Sequence, residues 1–173
     1  MKPLLGLALM ICGAAALWTL VTAFEDTIVA SLQPASSHLG EAVSIEGNSI
    51  HPDISIAAQA VVPTRSTTRS VHASHGNRLV AVRFVFEGTG ETVWKGGATA
   101  TASLIDGQGL SYPSDPGFTS VKAGRVLPAN YRVRPDQRTS GYLVFQVPAA
   151  ADITQVRLWL GPALQDTVRW DIP

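Results

Sequence analysis

Between residues 54 and 172 the apolar residues recur at every second position in a series of short runs. The runs lie at 54–62, 79–86, 98–105, 142–147, 156–160 and 168–172. Because successive side chains of a strand point to opposite faces, this period predicts β-strands. Turn segments such as Asp106–Gly109 separate the runs, and no segment after residue 24 keeps a helical period. The sequence therefore predicts an all-β fold, an immunoglobulin-like antiparallel β-sandwich at 54–173.

The phase of each run predicts which side chains form the core. Phe145 is in phase with Leu143 and Val147, so its ring should be buried, whereas Val144 should face outward. Trp170 is in phase with the apolar residues on either side of it and should also be buried. A sandwich of about 120 residues can bury a sufficient core without a disulfide.

The first 24 residues have a different character. No charged side chain occurs from Pro3 to Phe24, and residues 4–24 are almost wholly apolar. A helix rising about 1.5 Å per residue over this length would cross a hydrocarbon core of roughly 30 Å. Lys2 precedes the run, and Glu25 and Asp26 follow it. We therefore predict that 1–24 is a single-pass signal-anchor helix in membrane lipid, with a cytoplasmic N-terminus and an extracytoplasmic C-terminal domain.

A cleaved signal peptide is the alternative for this segment. Val21, Thr22 and Ala23 form a small-residue cleavage site that would release the chain from Phe24 onward. The anchor is favoured because the apolar run exceeds the roughly 7–15 residues of a signal-peptide core. Both interpretations place the later residues outside the cytoplasm.

Residues 25–53 form an acidic connector in this interpretation. The segment holds five acidic residues and no lysine or arginine, and prolines and glycines interrupt it. This composition is typical of loops, with one short strand predicted at Ala42–Glu46.

Three segments resemble a known succession of motifs. They are Leu79–Phe86 (LVAVRFVF), Ala102–Tyr112 (ASLIDGQGLSY) and Gly141–Pro148 (GYLVFQVP). Together they resemble an uncharacterised extracytoplasmic immunoglobulin-like domain of actinobacteria and other Gram-positive bacteria. The resemblance covers Ile54 to Pro173 and its motifs are structural. It implies a sandwich fold in a membrane-anchored or secreted protein, and it implies no activity.

Composition and motifs argue against several functions. Thirteen basic and thirteen acidic side chains cancel, whereas nucleic-acid binders carry a basic surplus. The single cysteine, Cys12, excludes a Cys-rich metal site within the chain. His72 and His75 lie in a stretch without carboxylates, so we expect no metal there. No Gly-x-Ser-x-Gly elbow and no phosphate-binding glycine loop occur. We therefore expect that the protein is not an enzyme and that it has no catalytic residue and no cofactor.

Two stretches are rich in arginine, Arg65–Arg83 and Lys122–Arg138. One interpretation is solvated loops and sheet edges, where charge blocks edge-to-edge pairing. The other is contact with anionic lipid headgroups or wall polymers.

The predicted partner-binding residues are Tyr142, Val144, Arg157 and Trp159. If their two strands are antiparallel neighbours in one sheet, side chains opposite each other on the two strands lie about 5 Å apart. The four residues then form one continuous outward patch. Such a cluster has the composition of an interface hot spot. The alternative is that the connector or an edge strand covers it.

The sequence thus predicts a non-enzymatic binding domain, an accessory subunit of a cell-envelope transport or secretion complex. The partner would be a membrane protein. The alternative is a secreted sandwich, cleaved after Ala23, that binds a small molecule or wall polymer.

Overall fold

The computed structural model describes residues 36–47, 52–69, 71–96, 102–160 and 167–173. Within these ranges the regular structure is all β, as predicted. The strands are β1 Ser36–His38, β2 Ala42–Ile45, β3 Ile54–Thr64, β4 Asn77–Gly88, β5 Trp94–Gly96, β6 Ala102–Asp106, β7 Ser111–Pro113, β8 Tyr131–Val133, β9 Arg138–Pro148, β10 Ile153–Trp159 and β11 Thr167–Asp171.

The strands form two main sheets and a short ribbon. The first sheet has the order β1-β11-β10-β6-β7, and the second has the order β2-β3-β4-β9. The ribbon pairs β5 with β8. Among the named strand pairs, only β1 and β11 run parallel, and the others run antiparallel. The chain crosses from the second sheet to the first between β9 and β10.

The sandwich includes residues that precede the predicted boundary at Ile54. Strand β2 lies where a short strand was predicted and pairs with β3, while β1 pairs with β11. Strand pairing therefore extends into the segment that we predicted to be a connector. The predicted transmembrane helix at 1–24 lies outside the described residues. Within the described ranges, no helix is long and apolar enough to cross a membrane.

The main core lies between the two large sheets. Phe84, Phe86, Phe145 and Trp170 are fully buried there, and the Trp170 ring meets Phe84 edge-on. The Trp170 indole N–H donates to the Glu41 carbonyl at 3.0 Å, so burial leaves no unmet donor on that ring. The predicted burial of Phe145 and Trp170 is confirmed.

A β-bulge changes the phase of β3. Ile54, Ile56 and Ala58 are buried as the alternation predicts. The pairing with β4 then shifts between Ala58 and Ala60. A bulge adds one residue to one strand, so the residues after it exchange faces. Val61 consequently packs against the core.

A second apolar cluster covers the outer face of the second sheet. Leu79 and Val144 point away from the main core, and Phe118 and Val121 of the loop after β7 pack onto them. Val144 is only 2% exposed. The sequence predicted that Val144 faces out, which is correct for the strand, but its predicted exposure is wrong because the loop covers it.

Candidate binding surfaces

The structure separates the four residues that were predicted to form one patch. Tyr142 and Val144 lie on β9 in the second sheet, whereas Arg157 and Trp159 lie on β10 in the first. The predicted adjacency is wrong because the connection after β9 crosses between sheets instead of closing a hairpin within one.

Tyr142 and Val144 lie beneath the segment that follows β7. The Tyr142 backbone N–H donates to the Arg125 carbonyl, and the Leu127 N–H donates to the Tyr142 carbonyl, both at 2.9 Å. The Tyr142 ring is so close to Gly124 that a Cβ there would lie 2.9 Å from Cε2. These residues hold a covering loop in place.

Arg157 and Trp159 lie on the outer face of the first sheet, which we define by the outward residues of β10 and β11. Their inward neighbours Val156 and Leu158 are buried, while the Trp159 side chain is 44% exposed. Arg169 of β11 lies directly opposite Arg157. Like charges directly opposite each other on a sheet are destabilising. Repulsion between the two arginines therefore lowers the stability of this sheet.

A chain of hydrogen bonds through Gln155 links Arg157 to Asp171 without forming an ion pair. Arg157 Nε donates to Gln155 Oε1 at 2.7 Å, and Gln155 Nε2 donates to Asp171 Oδ1 at 2.9 Å. The Arg169 Nε atom is buried with no hydrogen-bond partner in the described part of the chain. Arg138 and Glu87 form the one ion pair found among the described residues. Arg157 and Arg169 thus place two half-buried guanidinium groups on the same face as the exposed Trp159 indole.

A separate cavity of about 480 Å³ collects arginines from three elements. Its lining includes Arg125, Arg132, Arg138, Asn130, Thr139 and Ser140. We call it the basic cavity. The sequence shows that Lys122–Arg138 is rich in basic residues. The three arginines line one cavity because β9 runs beside the loop that precedes β8.

An apolar cavity of about 300 Å³ lies where the covering loop meets β9. Val126, Leu127, Leu143 and Val144 contribute its apolar wall. Ser114 also lines it, and the Ser114 hydroxyl is buried without a hydrogen-bond partner in the described residues. A buried hydroxyl normally has a hydrogen-bond partner, so the Ser114 hydroxyl is an exception among the buried polar groups of the described residues.

The titratable groups include no candidate metal centre in the described ranges. His72 and His75 are exposed, and no group of three His, Cys, Asp or Glu side chains is placed to hold an ion there.

Hydrogen bonds from the Ser37 hydroxyl and the His38 backbone lower the pKa of Glu41. Burial raises the pKa of Tyr131, so its phenol stays protonated.

Comparison with known proteins shows the fold. No protein-family model matches the sequence, and no curated protein matches it. The chain is similar in structure to MPT63, a secreted protein from Mycobacterium tuberculosis, with a TM-score of 0.58 and 11% identity over 81% of this chain and 98% of that one. The yjhA protein from Bacillus subtilis is also similar, with a TM-score of 0.55 and 10% identity over 79% of this chain and 99% of that one.

An uncharacterised β-sandwich protein from Clostridium difficile is also similar, with a TM-score of 0.50 and 9% identity over 80% of this chain and 94% of that one. At such identities the likeness shows the fold alone. The chain is therefore a β-sandwich protein, as the alternating sequence pattern predicts.

Proposed function

We propose that this chain is a non-enzymatic extracytoplasmic binding domain, with an immunoglobulin-like sandwich anchored in the cell membrane by residues 4–24. It would act as an accessory subunit of a cell-envelope transport or secretion complex. The observation that carries the proposal is the exposed Trp159 on the same outer sheet face as Arg157 and Arg169.

The composition of this face supports protein binding. Tryptophan and arginine are the residues most enriched in interface hot spots. Strand pairing fixes the Arg157 backbone on both sides, opposite Arg169 and Ser103, and the Trp159 backbone on one side, opposite Thr167. Little backbone ordering is therefore needed on binding. The two guanidinium groups favour a partner with an acidic surface, because opposite charges steer association and select the correct partner.

Two observations support the location. Residues 4–24 have the length and apolarity of a membrane span. MPT63, which has a similar fold, is a secreted protein. N-terminal sequencing of the native protein tests the anchor: a chain that begins at Met1 supports it, and a chain that begins at Phe24 replaces it with secretion.

Affinity purification of the full-length protein from its own membranes tests the binding surface. Trp159→Ser should abolish co-purification of the partner while leaving the melting temperature unchanged. Leu110→Ser is the matched control, because Leu110 is also a large exposed apolar residue, 55% exposed, but lies in the β6–β7 turn. Equal retention of a partner by both variants would exclude the Trp159 face.

A secreted sandwich that binds a small molecule is the second candidate, and the apolar cavity with its unpartnered Ser114 hydroxyl favours it. Its volume is at the lower end for ligand sites. Mass spectrometry of small molecules extracted from the purified protein should then reveal a bound species that Val126→Trp, which fills the cavity, removes.

A further inference from the structure

Three arginines from separate elements line the basic cavity. Arg125 belongs to the loop before β8, Arg132 to β8 and Arg138 to the start of β9. We propose that this cavity binds a phosphate-type oxyanion, the phosphoryl group of a phosphodiester. This site is independent of the Trp159 face and of the protein partner proposed for it.

The backbone positions of all three arginines are fixed. The Arg125 carbonyl accepts from the Tyr142 N–H at 2.9 Å, which ties it to β9. Arg132 pairs with Lys95 across the β5–β8 ribbon, and its carbonyl accepts from the Thr139 hydroxyl at 3.2 Å. Such constraints remove the cost of ordering the backbone on binding and leave only that of ordering the side chains.

The local charge is not neutralised. Glu87 lies opposite Arg138, accepts a hydrogen bond from its Nε at 2.9 Å and forms an ion pair with its Nη2 at 2.8 Å. In the described residues, neither Arg125 nor Arg132 has a carboxylate within 4.0 Å. One carboxylate thus faces three guanidinium groups, which leaves a surplus of positive charge. Repulsion in such a cluster is relieved when an anion binds.

The donors indicate the class of anion. Guanidinium groups present forked N–H pairs that match phosphate and carboxylate geometry. Glu87 engages Nε and Nη2 of Arg138, whereas Arg125 and Arg132 have no carboxylate within 4.0 Å among the described residues. These two guanidinium groups come from different elements, and a phosphoryl group, which presents oxygens in several directions, suits them better than a planar carboxylate. The cavity wall adds the Asn130 amide and the hydroxyls of Thr139 and Ser140.

A neighbouring cavity extends the site. It measures about 390 Å³, shares Asn130, Tyr131 and Arg132 with the basic cavity, and adds Lys95. A ligand with atoms on both sides of the phosphorus can occupy the two together, which favours a diester over free phosphate. Phosphodiesters occur in both lipid headgroups and wall polymers.

Calorimetric titration of the full chain in non-ionic detergent tests the site with three probes: inorganic phosphate, soluble poly(glycerol phosphate) and short-chain phosphatidylglycerol. The Arg125→Gln/Arg132→Gln variant should bind each probe that the wild type binds about tenfold more weakly or worse. The matched control is Arg65→Gln/Arg69→Gln, which removes the same charge from exposed arginines of the other basic stretch.

The outcomes distinguish binding at the basic cavity from a general effect of positive charge, and they identify the source of the phosphodiester. Saturable binding that the cavity variant loses and the control keeps supports the proposal. Preference for the polymer over the lipid then assigns a wall polymer, and the opposite preference assigns a headgroup. Equal weakening in both variants, or no saturable binding of any probe by the wild type, overturns the proposal. Matching thermal melts show that each variant is folded.

Discussion

The Tyr112 hydroxyl donates a 2.7 Å hydrogen bond to Asp106 Oδ2 and so joins the two strands of the β6–β7 hairpin. The other oxygen, Oδ1, accepts from the backbone N–H groups of Gln108 and Leu110, both at 2.9 Å. The Tyr112 hydroxyl and these backbone donors lower the pKa of Asp106, and the carboxylate raises the pKa of Tyr112.

The lowered pKa of Asp106 predicts how the stability of the fold depends on pH. Because the folded-state pKa of Asp106 is below its ordinary 3.8, the ionised carboxylate stabilises the fold above that pH. The stabilisation is lost as the pH falls through the lower folded-state pKa. Asp106→Asn should lower the melting temperature at neutral pH, and the difference should shrink in acid. Tyr112→Phe, which keeps the charge, should lose less, and a difference that stays constant with pH would contradict the mechanism.

Adjacent residues of β9 should both be costly to truncate. Phe145→Ala leaves a cavity in the main core and should cost about 3–5 kcal/mol of unfolding free energy. Val144→Ala removes a side chain buried under the covering loop and should cost about 1–3 kcal/mol. Denaturant midpoints of the two variants give both values, and a negligible loss at Val144 would mean that the loop does not pack there.

Gly141 should tolerate no side chain. A Cβ at this position would lie 2.8 Å from both the N and Cα of Leu127, which are backbone atoms that cannot turn aside. Gly141→Ala should therefore cost about 1–3 kcal/mol, as overpacking does. Gly107→Ala is the control, because its Cβ would meet only the Thr154 methyl at 3.8 Å. Equal stability of the two variants would show that the Leu127 segment is not held against β9.

The sandwich should be insensitive to chelators and reductants. The chain has no cysteine after Cys12, and the described ranges hold no metal-ligand cluster. Thermal melts with and without chelator, and with and without reductant, should superimpose. A large drop with chelator would identify an ion that contributes to stability.

The sequence predicts local features of this fold well because alternation is a local property. It places β4 and β9 and the inward phase of Phe145 and Trp170. It does not predict the bulge between Ala58 and Ala60, because one extra residue leaves the composition of β3 unchanged.

Long-range relationships account for the failures at the candidate sites. Sequential strands often pair, and that tendency underlies the wrong prediction that β9 and β10 are neighbours. The burial of Val144 depends on Phe118, which is distant in the chain. The convergence of Arg125 and Arg138 likewise depends on the path between them, which a list of basic residues does not contain.

The parallel pairing of β1 with β11 has a mechanical consequence. Ser36 lies level with Arg169, and His38 lies level with Asp171. Tension applied between the chain before Ser36 and the chain after Asp171 would slide two parallel strands past each other. In that direction the hydrogen bonds between the strands are loaded together and must break together, whereas antiparallel strands pulled from one end open one bond at a time. A domain tethered ahead of β1 and pulled from beyond β11 would thus resist force at the contact where its earliest and latest strands meet.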